Sequence, residues 1–190
     1  PGFIARKNTK AMLKHPILHA FKKQWPSMLV VMILGGFTSA VAYTIRGYLN
    51  IFFFEVMHYT ADEALYFTSF ALFVMVILLP LFGLLSDKVG NRKFLHIICY
   101  ATMLTIVPCY MMLANSHKDI VLVLMGLTLI SILAAGICAP AYSYAIKAFE
   151  VDLRFSGVAF SWNIGLALLG GTTPVISRYL SEQYSVIAPA

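Results

Sequence analysis

Residues 120–146 read Ile-Val-Leu-Val-Leu-Met-Gly-Leu-Thr-Leu-Ile-Ser-Ile-Leu-Ala-Ala-Gly-Ile-Cys-Ala-Pro-Ala-Tyr-Ser-Tyr-Ala-Ile, and none of them carries a charge. A bilayer core about 30 Å thick is crossed by about 20 helical residues, so Ile120–Ile146 is long enough to span one. Outward from it lie four further apolar stretches, Ser27–Val56, Ala61–Leu85, Phe94–Ala114 and Ser156–Leu180. Only 12% of the 190 residues are charged, against about 25% in soluble domains, and the mean hydropathy is +0.82. Hydrocarbon offers no partner to backbone amides, and the stretches lack the alternation of barrel strands, so helices are the form they take. The fold class is therefore all-α: a polytopic membrane bundle of five transmembrane helices.

The charges orient it. Arg6, Lys7, Lys10, Lys14, Lys22 and Lys23 precede the first stretch, Lys88, Arg92 and Lys93 follow the second, and Lys147 and Arg154 follow the fourth. The other side holds Lys118 and Arg178. The positive-inside rule places the N-terminus in the cytoplasm of a cell whose inner membrane holds the protein. Five crossings then leave residues 181–190 as an extracytoplasmic loop, and a further helix beyond them is expected. The chain begins at Pro1 with no cleavable signal, which reads as a fragment. Residues 1–26 read as a basic linker with an interfacial piece formed by Met12, Leu13, Ile17, Leu18 and Phe21; Pro16 argues against a continuous helix there. The net charge of +6 sits at membrane edges and not on an aromatic platform, so membrane lipid headgroups are the expected partner and nucleic acid is not.

Two boundaries carry capping chemistry. Thr60-Ala-Asp-Glu63 has the form of a capping box and sets the start of the second helix. Ser116-His-Lys-Asp119 has a similar shape before the fourth. Between the second and third stretches lies Gly83-Leu-Leu-Ser-Asp87-Lys88-Val-Gly90-Asn91-Arg92-Lys93. Here Gly83 allows close helix approach, Asp87 suits the positive end of a helix dipole, and Gly90 permits a left-handed turn. This combination describes a latch.

The loop resembles the major facilitator superfamily of secondary transporters, whose cytoplasmic loops carry G-x-x-x-D-[RK]-x-G-[RK]-[RK]. Gly83, Asp87, Lys88, Gly90 and Arg92 match; Asn91 departs where the family has a basic residue. Ser156-Gly157-Val-Ala-Phe-Ser-Trp-Asn163-Ile-Gly165, followed by Gly170-Gly171-Thr-Thr-Pro174, resembles the eleventh helix of the metabolite:proton symporter branch, notably its proline/betaine transporters. The resemblance implies that the stretches are helices 7–11 of a 12-helix transporter. Residues 27–180 would then form a C-terminal half-bundle, with a six-helix N-terminal half and helix 12 missing. It also implies a gating role for Lys93, Lys147, Asp152 and Arg154. The family's E-x-F-P-x-R-x-R-x-S-G pattern appears here as Lys147, Phe149, Glu150, Asp152, Arg154, Ser156 and Gly157. The first acid and its basic partner have exchanged sign, so a Lys147–Asp152 pair is expected.

The last stretch has its own physical logic. Gly165, Gly170 and Gly171 remove bulk, Pro174 removes a backbone donor, and Thr172 and Thr173 can bond the freed carbonyls, giving a hinge. Trp162 and Asn163 are expected to face a cavity. Arg46 lies within the first stretch, where a charge costs about 2.5–3.5 kcal/mol on insertion scales, so it needs an anion or water. A substrate carboxylate would serve, with Thr38, Tyr43 and Asn50 as further hydrogen-bonding groups; snorkelling or a Glu55 pair are the competing readings. Tyr142, Tyr144 and Trp162 are candidate faces for a quaternary ammonium.

HExxH, GxSxG, Walker and GxGxxG signatures are missing. His15, His19, His58, His96 and His117 have no ligand spacing, and Cys99, Cys109 and Cys138 read as buried hydrophobes. Neither an enzyme, a metal site nor a cofactor is expected. The resemblance implies proton-coupled symport, by alternating access, of a small zwitterionic or carboxylated solute such as proline or betaine. A dicarboxylate or other organic-acid symporter is the alternative within the superfamily, and a channel or assembly factor outside it.

Overall fold

The computed structural model describes residues 16–184, with side chains from Phe21 onward. Readings that rest on residues 1–15 and 185–190, most of the basic tail and of the final loop, lie outside the described residues. Helix α1 runs as Pro16–Tyr43, a π-helical turn Thr44–Tyr48, a short α-turn Leu49–Ile51 and a second π-helical turn Phe52–Val56. Helices α2 (Ala61–Val89), α3 (Asn91–Ala114) and α4 (Ile120–Lys147) follow. Helix α5 comprises Arg154–Gly165, a π-helical turn Leu166–Gly170 and Thr173–Gln183. All five are long and apolar enough to cross a membrane, and there is no strand among the described residues.

The chain chemistry explains the ends. Thr60 Oγ1 accepts from the Glu63 amide at 3.3 Å while Glu63 Oε2 accepts from the Thr60 amide at 2.9 Å, the reciprocal capping box that starts α2. At α4 the expectation is corrected. The cap is Asp119, whose Oδ1 accepts from the Val121 amide at 2.9 Å, while Ser116 is buried and its carbonyl accepts from the Asp119 amide at 2.7 Å. A carboxylate one residue from the helix reaches its orphan amides better than a hydroxyl three residues back.

The loop expected between α2 and α3 contracts to one residue. Gly90, at φ +98°, is the break between two helices that otherwise run on through the charged residues, because exposed lysines and arginines need no loop to stay hydrated. The first helix likewise starts earlier than Ser27. Pro16 occupies its first position, where a missing amide hydrogen costs nothing, and the helix bends at Gln24 (φ −133°, ψ 32°) before Pro26.

Helix α4 is the axis of the bundle: 56% of its most apolar window is buried, against 17% in each of α2, α3 and α5. Small residues make this possible, since Ala134, Ala135 and Gly136 bring neighbouring helices close. Ser131 Oγ donates to Ala71 O at 2.9 Å, tying α4 to α2, and Cys138 Sγ donates to Thr38 O at 3.8 Å, tying it to α1. One core cluster joins Tyr48, Phe52, Phe53, Tyr59 and Tyr110 to the inner faces of α2 and α4. A second, at the basic end, gathers Met28, Val31, Ala145, Phe149 and Leu153.

Helices α1 and α5 meet through glycine. A Cβ on Gly165 would overlap the Met32 carbonyl oxygen, one on Gly36 would come within 3.1 Å of Gly165 O, and one on Gly170 within 2.8 Å of Ser39 Cβ. Gly47, in the first π-helical turn, sits against Pro174. The close-approach role expected of Gly83 is not met among the described residues, none of which lies within 4 Å of a Cβ placed there.

Candidate functional site

Arg46 belongs to the π-helical turn Thr44–Tyr48, whose Ile45 and Tyr48 are buried while Arg46 is exposed. A π-turn inserts an extra residue into the helical period, and such bulges recur at functional positions. Elsewhere in the bundle, Tyr142 of α4 stacks on Trp162 of α5, ring centroids 4.7 Å apart and planes 27° from parallel. Trp162 lies against Gly35, with indole atoms 3.1–3.2 Å from a Cβ built on that glycine. Gly35, Tyr142 and Trp162 thus join α1, α4 and α5 at one stack.

The other expected polar groups fall differently. Thr38 is 2% exposed and its hydroxyl donates to Leu34 O at 2.9 Å, so it is spent on its own helix and not offered to a solute. Tyr43 packs its ring on Gly170. Asn50 is partly buried, one turn beyond Arg46. Asn163 is exposed, with its amide nitrogen donating to Ala159 O at 2.7 Å. The Arg46–Glu55 pair is corrected, because Glu55 Oε1 is 3.3 Å from Arg178 Nη2 and Arg178 Nε is 2.8 Å from Glu182. Among the described residues no carboxylate lies within ion-pair distance of Arg46.

At the basic end, Lys147 Nζ is 3.9 Å from Asp87 Oδ1. This corrects the expected pairing of Lys147 with Asp152: the end of α4 points its lysine across to the last turn of α2, not along its own chain. With its amide turned to satisfy its neighbours, Asn91 donates to Asp87 at 3.3 Å and to Ser86 O at 3.2 Å. Lys88, Arg92 and Lys93 are exposed, and Arg154 Nη2 makes a 3.5 Å contact to Phe149 O. Lys23 pairs with Glu150 at 3.0 Å, and Gln24 Oε1 accepts from the Glu150 amide at 3.3 Å, clamping the start of α1 to the turn before α5. At the opposite end Lys118 donates to His58 O at 3.1 Å and sits 5.3 Å over the Tyr59 ring. Burial, reinforced by the Glu63 and Asp119 charges, pushes the Tyr59 phenol above its ordinary range.

The threonines beside the expected hinge bond the carbonyls behind them. After the π-helical turn, Thr172 Oγ1 donates to Leu168 O at 2.7 Å and Thr173 Oγ1 to Leu169 O at 2.6 Å, and Pro174 opens the next helical segment. Sequence reasoning missed the Gly35-Gly36 pair, a small-residue signal in an apolar stretch. It also missed the Lys23–Glu150 clamp, which has no signature because the partners are far apart in the chain. A cleft of about 380 Å³ lined by Val121, Leu124, Met125, Thr128 and Leu129 is wholly aliphatic but for one hydroxyl and lies on the outside of α4; it lacks the charge a polar solute needs.

Residues 2–173 match the family model described as Major Facilitator Superfamily, and the chain belongs to that family. It is a multi-pass membrane protein of a transporter family. Among curated proteins it is 27% identical to the ectoine/proline transporter ProP of Corynebacterium glutamicum, over 100% of this chain and 38% of that one. It is 28% identical to the citrate-proton symporter of Klebsiella pneumoniae, over 95% and 40%, and 26% identical to the proline/betaine transporter of Escherichia coli K12, over 84% and 31%. The chain thus spans between about a third and two fifths of the length of these relatives. No solved structure matches it.

Proposed function

We propose that this chain is the C-terminal half-bundle, helices 7–11, of an inner-membrane symporter that moves a small zwitterionic or carboxylated solute together with protons by alternating access. The observation that carries the reading is Arg46, a guanidinium inside a membrane helix, exposed and without an ion-pair partner among the described residues. A solute carboxylate supplies the missing anion by bidentate hydrogen bonding. Asn50 and Asn163 are the remaining polar candidates for the site. The relatives support the class, being a proline/ectoine transporter, a proline/betaine transporter and a citrate-proton symporter.

The eight acids of this chain, Glu55, Asp62, Glu63, Asp87, Asp119, Glu150, Asp152 and Glu182, lie in loops or near helix ends. The proton is therefore carried by an acid in the N-terminal half, and the residues here bind, gate and bend. The basic end faces the cytoplasm, where Asp87 and Lys147 close the inward side. The hinge at Gly165, Gly170, Gly171 and Pro174 lets α5 bend as the halves rock. Reconstitution of the intact protein in proteoliposomes tests this. Labelled proline, betaine or citrate should accumulate when the outside is acidified, and a protonophore should abolish accumulation. Uptake indifferent to the proton gradient, or none for any of the solutes, overturns the reading.

A further inference from the structure

We propose that Thr173–Gln183, the segment of α5 farthest from the basic end, is a flap that swings away from α1 during transport, with the Glu55–Arg178 ion pair as the latch that holds it closed. The role in transport rests on the symport reading above; the flap and its latch rest on packing. Past the level where both helices are interrupted, α1 and α5 are held very differently. In α1, Leu49, Phe52 and Phe53 are fully buried, the Phe52 ring lies edge-on to Tyr110 of α3, and the Phe53 ring is 5.1 Å from Phe67 of α2. In the facing segment of α5 only Ser177 is buried, while Val175, Ile176 and Tyr179 are exposed. A segment with so few buried apolar contacts is among the first to open. The end of α1 is therefore a fixed post, and the end of α5 is scarcely held.

The base of the flap can bend. Leu166–Gly170 is a π-helical turn, Gly171 and Thr172 form a turn after it, and Pro174 offers no amide hydrogen to the carbonyl of Gly170. Prolines and π-turns are where helices kink. This interruption lies beside that of α1: Pro174 Cγ is 3.1 Å from a Cβ built on Gly47, and Ser39 Cβ is 2.8 Å from one built on Gly170. Gly47 against Pro174 is the pivot. Beyond it, among the described residues, one ion pair crosses from flap to post, Arg178 Nη2 to Glu55 Oε1 at 3.3 Å. Nε of the same guanidinium is 2.8 Å from Glu182 Oε1, one turn further along the flap. The planar fork thus engages two carboxylates at once, one on each side of the joint. When the flap swings out, Glu182 keeps Arg178 paired, so opening breaks one contact without stranding the arginine. The three side chains are 37–53% exposed, and so exposed a pair is a weak tie, suited to opening in every cycle.

The test uses the intact protein in proteoliposomes, its native cysteines replaced and spin labels placed in pairs. One pair joins Met111 on α3 to Tyr184 at the tip of the flap; the other joins Met111 to Phe54 on the post, all three residues being exposed. The flap has 11 residues and is about 16 Å long, so a bend of about 20° at its base carries its tip through about 6 Å. Glu55→Gln leaves the Arg178–Glu182 pair in place and should add a Met111–Tyr184 population displaced by that order, with the Met111–Phe54 distance unchanged. Combining Glu55→Arg with Arg178→Glu should remove the added population. An unaltered Met111–Tyr184 distance in Glu55→Gln would mean that packing holds the segment, and equal displacement of both pairs would mean that the post moves too; either overturns the proposal. In a second measurement Glu55→Cys and Arg178→Cys are joined by a short, cleavable thiol cross-linker. Uptake of labelled proline, betaine or citrate should stop while the link is closed and return when it is cleaved; uptake undiminished by the link overturns the flap's part in transport. If the protein takes up none of these solutes before linking, the symport reading fails, and the distances still decide whether the flap and its latch exist.

Discussion

Arg46 and Thr38 are two turns apart on α1 and both suit one solute site by residue type, yet their chemistry separates them. A threonine hydroxyl in a helix can satisfy itself on the carbonyl four residues back, as Thr38 does on Leu34. An arginine cannot, having five donors and no local acceptor set. Arg46 thus keeps a demand for an anion that its own helix does not meet. Arg46→Lys preserves the charge but loses the planar fork, and should weaken equilibrium binding of carboxylated solutes by about 10-fold or more, the range for hydrogen bonds to charged groups. Arg46→Gln should abolish it. Unchanged affinity in both variants, measured with labelled solute on purified intact protein, would reassign Arg46 to snorkelling. At this scale the sequence revealed which residue types were out of place in hydrocarbon, but not where they pointed. The π-helical turn that directs Arg46 has no residue signature.

Between elements, the joint of α1 and α5 depends on the absence of side chains. Gly165 was legible as a position without side-chain bulk from its glycine-rich neighbourhood. Its contact with the Met32 carbonyl and Gly36 was not, because knowing that two helices can approach does not reveal which two will. Gly83 illustrates the same limit from the other side: the identical residue type, set in a family-like pattern, meets nothing within 4 Å among the described residues. Gly165→Ala should therefore overpack the joint, costing about 1–3 kcal/mol and lowering the aggregation temperature of the purified protein, while Gly83→Ala should leave it unchanged. Equal behaviour of the two variants would mean that α1 and α5 are not held by this glycine contact. The cap of α2 was readable to the residue because a capping box is local. The boundary at Gly90 was readable as a turn but not as a single-residue one, since lysines and arginines look like loop whether they sit on a loop or on a helix end.

Across the whole molecule, charged links occur at both ends of the bundle. Asp87–Lys147 joins α2 to α4 and Lys23–Glu150 joins α1 to the turn before α5 at the basic end; Glu55–Arg178 joins α1 to α5 at the other. The side chains of Asp87 and Lys147 are 62% and 67% exposed, and a pair that exposed contributes at most about 1 kcal/mol to stability. Any large consequence of breaking it should appear in transport and not in folding. Asp87→Lys and Lys147→Asp should each slow solute uptake by the intact protein while leaving its melting temperature and insertion unaltered. The double exchange restores opposite charges at the same two positions and should recover most of the rate, a coupling that a double-mutant cycle isolates. Exchanging Lys147 with Asp152, which are neighbours in sequence but not an ion pair here, should give losses that simply add. Restoration by the Lys147–Asp152 exchange and not by the Asp87–Lys147 exchange would return the latch to a contact within the α4–α5 connection. Restoration by the Asp87–Lys147 exchange alone would fix it between the ends of α2 and α4, where one helix can hold or release the other as the bundle rocks.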